Sequence, residues 1–269
     1  MAQQVAEILS VPPTPVDVIM LQEVDEATRA AVSMRFHKTH QIVNGEGFDP
    51  IKGQNSIVLL AYAAMEGSAV EVTRRVVQTM NDMGCDVGCV SGGDLVVVEL
   101  VLKSSQKAVA VSYHGSSSGD GAARVLQALD RLYTGTDAVL IVGVDANTAW
   151  DEDAAAEGRL GVAEFLGEAV SCGLRSSFGT MGADAVPTSF KARTYLQPQL
   201  HKSESLATVR AGDRRLKQPR DFLLYSASTM DVSEAGRVNC PEWVHKRNCL
   251  LATATFPSDH SLLHAIFVY

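Results

Sequence analysis

The sequence predicts an α+β or layered αββα arrangement, its apolar strands joined partly by hairpins and partly by helical crossovers. Three observations carry this. Apolar runs of strand length recur from Val16–Leu21 to Ser261–Val268, and stretches with helical apolar spacing separate several of them. The 269 residues, 46% hydrophobic and 20% charged, suffice for a large core and exclude disorder, collagen and coiled coil. No repeat, low-complexity tract or Pro/Ser-rich linker divides residues 1–269, which read as one domain.

Ala2 to Leu9 reads as a short helix stopped by Val11-Pro12-Pro13. Val16–Leu21 has the β-branched content of a buried strand and runs into Gln22-Glu23. Asp25 can cap a helix carrying Ala27, Ala30, Ala31 and Met34. Ser56–Tyr62 is a second strand, and Ala69, Val72, Val76 and Met80 suggest a helix. Asp94–Leu102 and Ala108–Tyr113 are strands around the polar turn Lys103–Lys107, a hairpin signal. Asp120–Tyr133 is a helix capped by its Asp, Ala138–Val144 a continuous apolar strand, and Leu160–Ser171 a helix closed by Gly173. Arg175–Pro219 is long and polar, which suggests a surface with a task. Asp221–Ser226 and Ser261–Val268 are the closing strands.

A formal net charge of −8 argues against broad electrostatic capture of nucleic acid or anionic membrane, while leaving room for a local basic patch. Cys85, Cys89, Cys172, Cys240 and Cys249 are odd in number and lack C-x-x-C pairing. They read as reduced thiols rather than a disulfide framework or zinc site, in an intracellular compartment such as cytoplasm or nucleus. No apolar run approaches the ~20 residues of a membrane span, and the first residues lack the features of a signal peptide, so a soluble protein is expected.

Four apolar strands run into polar residues: Leu21 into Gln22-Glu23, Tyr113 into His114, Val144 into Asp145-Ala146-Asn147, and Phe256-Pro257-Ser258 into Asp259-His260. Ending a buried strand in a carboxylate or imidazole is unfavourable without compensation. A divalent cation held by carboxylate and amide oxygens, with imidazoles nearby to bind phosphate or move protons, would compensate all four. Taken one at a time, Glu23 reads equally as a helix start, Asp145 and Asn147 as turn formers, and Asp259-His260 as a loop pair.

These residues also carry a resemblance. Val16–Asp25 resembles the D-[IV]-[IV]-x-L-Q-E-V segment of the endonuclease/exonuclease/phosphatase superfamily, which includes pancreatic deoxyribonuclease, apurinic endonucleases, deadenylases and inositol-polyphosphate 5-phosphatases. Asn55–Leu59 is similar to its G-N-A-I-L strand, and Tyr113-His114 to its strand-ending histidine. Gly143–Asn147 resembles G-D-F-N, Pro219–Leu224 resembles R-I-D-Y-I-L, and Ser258–Ser261 matches S-D-H. The segments fall in the family's order and cover most of the chain from Asp17 onward.

The resemblance implies a deoxyribonuclease-I-like αββα sandwich and a Mg²⁺- or Mn²⁺-dependent phosphoesterase, with a nuclease favoured over action on a small phosphorylated metabolite or lipid headgroup. It implies Glu23 as a metal ligand with Asp259 in or near the metal shell, and His260, oriented by Asp221, polarising phosphate or water. Asp145 would take the proton from the attacking water. Asn147 would hold water or a phosphoryl oxygen, and His114 would bind phosphate or assist the leaving group. Asn55, Arg193 and Arg220 are the expected substrate contacts. In the family an earlier strand carries a metal-holding asparagine, and residues 1–15 contain none. The first strand is therefore expected to be missing, and an inactive phosphate-binding scaffold stays open beside the enzyme.

Other patterns compete. Gly115–Gly119 satisfies G-x-S-x-G between a strand and a helix, and Ser117, Asp221 and His260 follow hydrolase order. That reading leaves Glu23, Asp145, Asn147 and Asp259 without a role and has no upstream oxyanion segment. The same loop could instead hydrogen-bond phosphate through its backbone, or be a plain turn. Lys191, Arg193, Lys202, Arg210, Arg214, Arg215, Lys217 and Arg220 form either a phosphate clamp or a solvated loop. Phe190, Tyr195 and Trp150 could stack on a base or serve as core. His37, His40, His201, His245 and His264 read as structural or surface residues.

Overall fold

Ile57, Val58, Leu59 and Leu60 are consecutive, apolar and essentially inaccessible. Side chains alternate between the two faces of a strand, so a run buried throughout needs cover on both sides. The computed structural model supplies it. It describes residues 2–10, 12, 15–51, 53–86, 88, 90, 92–179, 187–190, 217–239 and 258–269.

The first half contains α1 (Ala2–Leu9), β1 (Val18–Val24), α2 (Glu26–Phe36), β2 (His40–Asn44), β3 (Asn55–Ala61), β4 (Met65–Glu71), α3 (Thr73–Asp82), β5 (Leu95–Leu102) and β6 (Lys107–His114). The second half adds α4 (Asp120–Tyr133), β7 (Val139–Asp145), α5 (Asp151–Glu157), α6 (Val162–Ser171), β8 (Leu174–Ser176), β9 (Ser189–Phe190), β10 (Lys217–Gln218), β11 (Asp221–Ser226), β12 (Asp231–Val238) and β13 (Leu262–Val268).

One sheet has the order β1-β3-β2 and the other β4-β5-β6-β7-β11-β8, with β12-β13 and β9-β10 as separate pairs. Val58 and Leu60 face the six-stranded sheet, meeting Val96, Val98, Ala108, Ala110 and Tyr225. Ile57 and Leu59 face outward onto α1 and α2 through Ala6, Leu9, Val32 and Phe36. On the far side Val97, Val109, Val111 and Val142 receive Met80, Leu126, Leu129 and Phe165 from α3, α4 and α6. Two outer helical layers and two inner sheets make the expected αββα sandwich. Each fully buried Leu or Val in it contributes roughly 1.5–3 kcal/mol.

Local expectations hold where local chemistry dictates them. Asp25 caps α2, its carboxylate accepting from the Thr28 amide at 2.7 Å. The β5–β6 hairpin pairs Leu95 with Tyr113 through to Val101 with Lys107. Gly173 follows α6 with φ +72°, a left-handed turn that favours glycine.

Three expectations are corrected. Ala69 lies in β4 rather than a helix, and the helix begins only at Thr73. The N-cap of α4 is Gly119, so Asp120 is the first helical residue rather than the cap. Residues 189–190 and 217–218 pair as β9 and β10 within the stretch read as loop. The polar strands β2, β4 and β12 lack the apolar runs that mark β3 and β5. Before β1, Ala2–Leu9 form a helix that carries no asparagine. Among the described residues no helix is long and apolar enough to cross a membrane. Cys85 and Cys172 carry free thiols; Cys89, Cys240 and Cys249 lie outside the described residues.

Candidate active site

Strand register builds the site. On parallel strands β6 and β7 His114 pairs with Asp145, and on antiparallel β7 and β11 Asp145 pairs with Asp221. Paired residues project to the same face, so the three side chains form one row across three adjacent strands. Their neighbours Tyr113, Val144 and Phe222 point to the helical layer, which leaves the row facing the gap between the sheets.

Further groups reach this row. His260, just before β13, places Nδ1 at 2.9 Å from both Asp221 oxygens and 3.9 Å from Asp145 Oδ2. Glu23, near the end of β1, sets Oε1 at 3.4 Å from His114 Nε2, which lies 4.0 Å from Asp145 Oδ2. Asp259 lies within electrostatic reach of both His260 and Arg220. Glu23 has φ +53° and Asn147 φ +51°, left-handed conformations that cost a residue such as Glu about 1–2 kcal/mol and that Asn adopts more readily. Two such residues at one rim indicate geometry held by its surroundings.

The surroundings of Asn147 are explicit. Its amide donates to Asp145 Oδ1 at 2.9 Å, its Nδ2 to the Gly115 carbonyl at 2.7 Å, and its Oδ1 accepts from Arg220 Nη1 at 3.2 Å. Arg159 Nη2 donates to the Asn147 carbonyl at 2.6 Å. Arg220 also donates to Gln218 Oε1. Its guanidinium is thus a brace for Asn147, beside the substrate-contact role expected of it. Thr188 Oγ1 accepts from the amides of Arg220 and Asp221, both at 3.0 Å, and its carbonyl accepts from the Ser261 amide at 2.7 Å. One threonine therefore ties the segment carrying Asp221 to the one carrying His260.

Burial pushes the Asp145 carboxyl up to about 6, against the opposing pull of His260 and His114. Burial alone would lower His260, but the Asp221, Asp145 and Asp259 carboxylates outweigh it and hold the imidazolium well above the ordinary histidine range. Burial also lowers Arg220, opposed by the same three carboxylates, and the guanidinium remains cationic.

Of the residues expected at the site, Glu23, His114, Asp145, Asn147, Asp221, Asp259, His260 and Arg220 converge on this rim. Asn55 does not. It is fully buried, its Nδ2 donating to the Val24 and Asp49 carbonyls and its Oδ1 accepting from the Asp49 amide. Those bonds occupy the amide structurally and leave it no face for substrate. Arg193 and Tyr195 lie outside the described residues. Trp150 is buried in the helical core, with Nε1 donating to the Lys217 carbonyl. Arg159 was not anticipated, because no local pattern marks an arginine after a short helix; Thr188 lies in the polar stretch Arg175–Pro219, whose composition suggests a surface with a task but marks no single threonine.

Among the described residues, Asp145, Asp221 and His260 form a group whose ligand-type atoms all lie within 4.8 Å of one another. The hydrogen bond between Asp221 and His260 already pairs two of them.

Layering and topology are those of the deoxyribonuclease-I-like fold, and the chain has the fold of the endonuclease/exonuclease/phosphatase proteins. It is similar to TDP2 of D. rerio complexed with single strand DNA product, at 14% identity and TM-score 0.61 over 100% of this chain and 91% of that one. It is similar to the human Nocturnin catalytic domain with bound sulfate anion, at 16% identity and TM-score 0.59 over 99% and 85%. An endonuclease/exonuclease/phosphatase from Bacteroides vulgatus aligns at 13% identity and TM-score 0.62 over 99% and 89%. No family model matches the sequence, and no curated protein does. The fold displaces the Ser117 hydrolase alternative. Gly115–Gly119 does join a strand to a helix, but in a largely antiparallel sheet of a four-layer sandwich, where the α/β-hydrolase arrangement is not present.

Proposed function

We propose that this chain is a divalent-metal-dependent phosphoesterase that hydrolyses phosphodiester bonds, with DNA or RNA as the favoured substrate. The observation that carries the reading is the His114–Asp145–Asp221 row, with His260 bonded at one end and Glu23 beside the other. Hydrolysis of a phosphodiester requires neutralised oxygen charge and an activated water, and this set of groups meets both needs.

The donor set fits Mg²⁺ or Mn²⁺. Carboxylate oxygens of Glu23, Asp145 and Asp221 gather around the two imidazoles of His114 and His260, and hard oxygen donors of this kind suit either ion. When bound, the ion supplies Lewis-acid neutralisation of the phosphate. Glu23 and Asp259 would hold it. Asp145 accepts the proton of the attacking water, its raised basicity suiting it better than an ordinary carboxylate. His260, kept cationic by Asp221, donates from its other ring nitrogen to a phosphoryl oxygen. His114 binds phosphate or protonates the leaving oxygen. Asn147, braced by Arg220, presents its remaining amide hydrogen to water or phosphate.

Nucleic acid is favoured because TDP2 of D. rerio is complexed with single strand DNA product and another similar fold is an endonuclease domain, that of TRAS1. The free thiols of Cys85 and Cys172 support a reducing compartment. The test is hydrolysis of labelled single-stranded DNA and RNA oligonucleotides, and of small phosphodiesters and phosphorylated metabolites, with Mg²⁺, Mn²⁺ or EDTA. Metal-dependent cleavage of an oligonucleotide, lost in Glu23→Gln and Asp145→Asn, is expected. Turnover of the small esters alone would move the substrate class, and no hydrolysis of any of them with metal would leave only a phosphate-binding scaffold.

A further inference from the structure

Glu23 approaches His114 from a strand that is locally out of step. Leu21 pairs with Ile57 and Val24 with Asn55, so three steps along β1 match two along β3, and the extra residue forms a bulge. Within it Glu23 takes its left-handed backbone conformation. A strained backbone persists only where neighbours over-determine it, and the neighbours are identifiable.

Gln22 extends away from its own sheet and across the sandwich. Its Nε2 donates to Ser112 Oγ at 2.8 Å and to the Gly143 carbonyl at 3.4 Å. Ser112 Oγ in turn donates to the Leu21 carbonyl at 3.1 Å. One buried hydroxyl thus accepts from the side chain of residue 22 and donates to the backbone of residue 21. At the other end of the bulge, Asn55 Nδ2 donates to the Val24 carbonyl at 3.0 Å. Gly143 makes the close approach possible, because a Cβ there would lie 3.0–3.2 Å from Met20 side-chain atoms.

The clasp has a fixed relation to the catalytic row. Ser112 and Gly143 are register partners on β6 and β7, as are His114 and Asp145 two residues on. Two residues along a strand return to the same face, about 7 Å further. Gln22 is therefore anchored one step below the row that Glu23 faces. Resting on the phosphoesterase reading, we infer that Gln22 and Ser112 are positioning residues. They touch no substrate; they hold the β1 bulge against the second sheet so that the Glu23 carboxylate is aimed beside His114, at the depth where it can hold the cation.

The test uses wild type, Gln22→Met, Ser112→Ala and Ser112→Thr. Met keeps the length of Gln without its donor, and Thr keeps the hydroxyl. Mn²⁺ affinity is measured by calorimetry without substrate, alongside KM and kcat on an oligonucleotide. Gln22→Met and Ser112→Ala are expected to weaken Mn²⁺ binding about 10–100-fold, with KM little changed, kcat recovered by added Mn²⁺, and Ser112→Thr close to wild type. A purely structural role would lower the unfolding temperature and leave the Mn²⁺ affinity of the folded protein alone. That result in both variants overturns the inference. If Ser112→Ala does not fold, Gln22→Met decides by itself, since Gln22 is only partly buried. A wild-type protein that binds no Mn²⁺ would instead bring down the phosphoesterase reading, and this inference with it.

Discussion

His260 Nδ1 sits 2.9 Å from each carboxylate oxygen of Asp221, a symmetric contact between residues 39 positions apart. A carboxylate so placed fixes the ring and favours its cation. Asp221→Asn is expected to move the NMR titration of His260 downward and to slow turnover by about 10²–10⁴-fold. Because the folded value of His260 is raised, this pair stabilises the protein fully below the unfolded histidine value and loses its contribution as pH rises through the folded one. Denaturant midpoints measured against pH should show that alkaline loss in wild type and much less of it in Asp221→Asn.

Asp145 predicts a conflict between stability and activity. Its carboxyl is raised from 3.8 to about 6 by burial. A carboxyl raised on folding favours the folded state below its unfolded value and loses that advantage as pH rises through the folded one. Above that range the ionised, buried group opposes folding by on the order of 2–3 kcal/mol, net of its attraction to His260 and His114. Asp145→Asn should therefore stabilise the metal-free protein by about 1–2 kcal/mol above pH ~6, with the gain fading below pH ~4, while abolishing turnover. Urea melts at two pH values check the sign, and a destabilised variant at high pH would contradict it.

Glu23 and Ser117 separate the metal enzyme from the displaced alternative. Glu23→Gln should cut activity by about two orders of magnitude or more and weaken Mn²⁺ binding with little change in unfolding temperature, since the side chain is 55% exposed. Ser117→Ala, at an exposed turn position, should retain activity, and EDTA should abolish it in both wild type and Ser117→Ala. Asp221→Asn adds a check on the ligand set: lost Mn²⁺ binding there, with binding retained in Glu23→Gln, would assign the cation to the Asp145–Asp221–His260 group.

Asn147 predicts an inverted ranking of substitutions. Asn147→Ala removes the bond to the Gly115 carbonyl and the acceptor for Arg220, and leaves a Cβ residue at φ +51°. Asn147→Gly loses the same bonds but relieves the backbone. Glycine should therefore be the more stable variant by about 1 kcal/mol, the reverse of its usual penalty, with both variants some 2 kcal/mol or more below wild type. Chemical denaturation of the pair reads this directly, and alanine matching or exceeding glycine would refute it.

Elements whose cause is local were legible in the sequence. The unbroken apolar runs of β3, β5 and β7, the Asp25 cap and the β5–β6 hairpin follow from patterns spanning a few residues. The strands β2, β4 and β12 escaped because they are polar and lie at or near sheet edges, where pairing rather than side-chain burial makes the strand. Most site residues were legible as types, through carboxylates and imidazoles that end buried strands in the family's order.

What the sequence determined was which polar groups stand at the ends of which apolar strands, because burial of an apolar run is written in the run itself. What only the tertiary structure decided was which of these groups meet. Strand register places His114, Asp145 and Asp221 on one row, the bulge turns Glu23 toward it, and Arg159, Thr188 and Asn55 become braces through hydrogen bonds to distant backbone. Asn55 shows the difference most plainly: its position in a family segment suggested substrate, but its buried amide is taken by Val24 and Asp49. Hydrogen-bond partners are set by where backbones pass in space, and that follows from how the sheets stack rather than from any stretch of neighbouring residues.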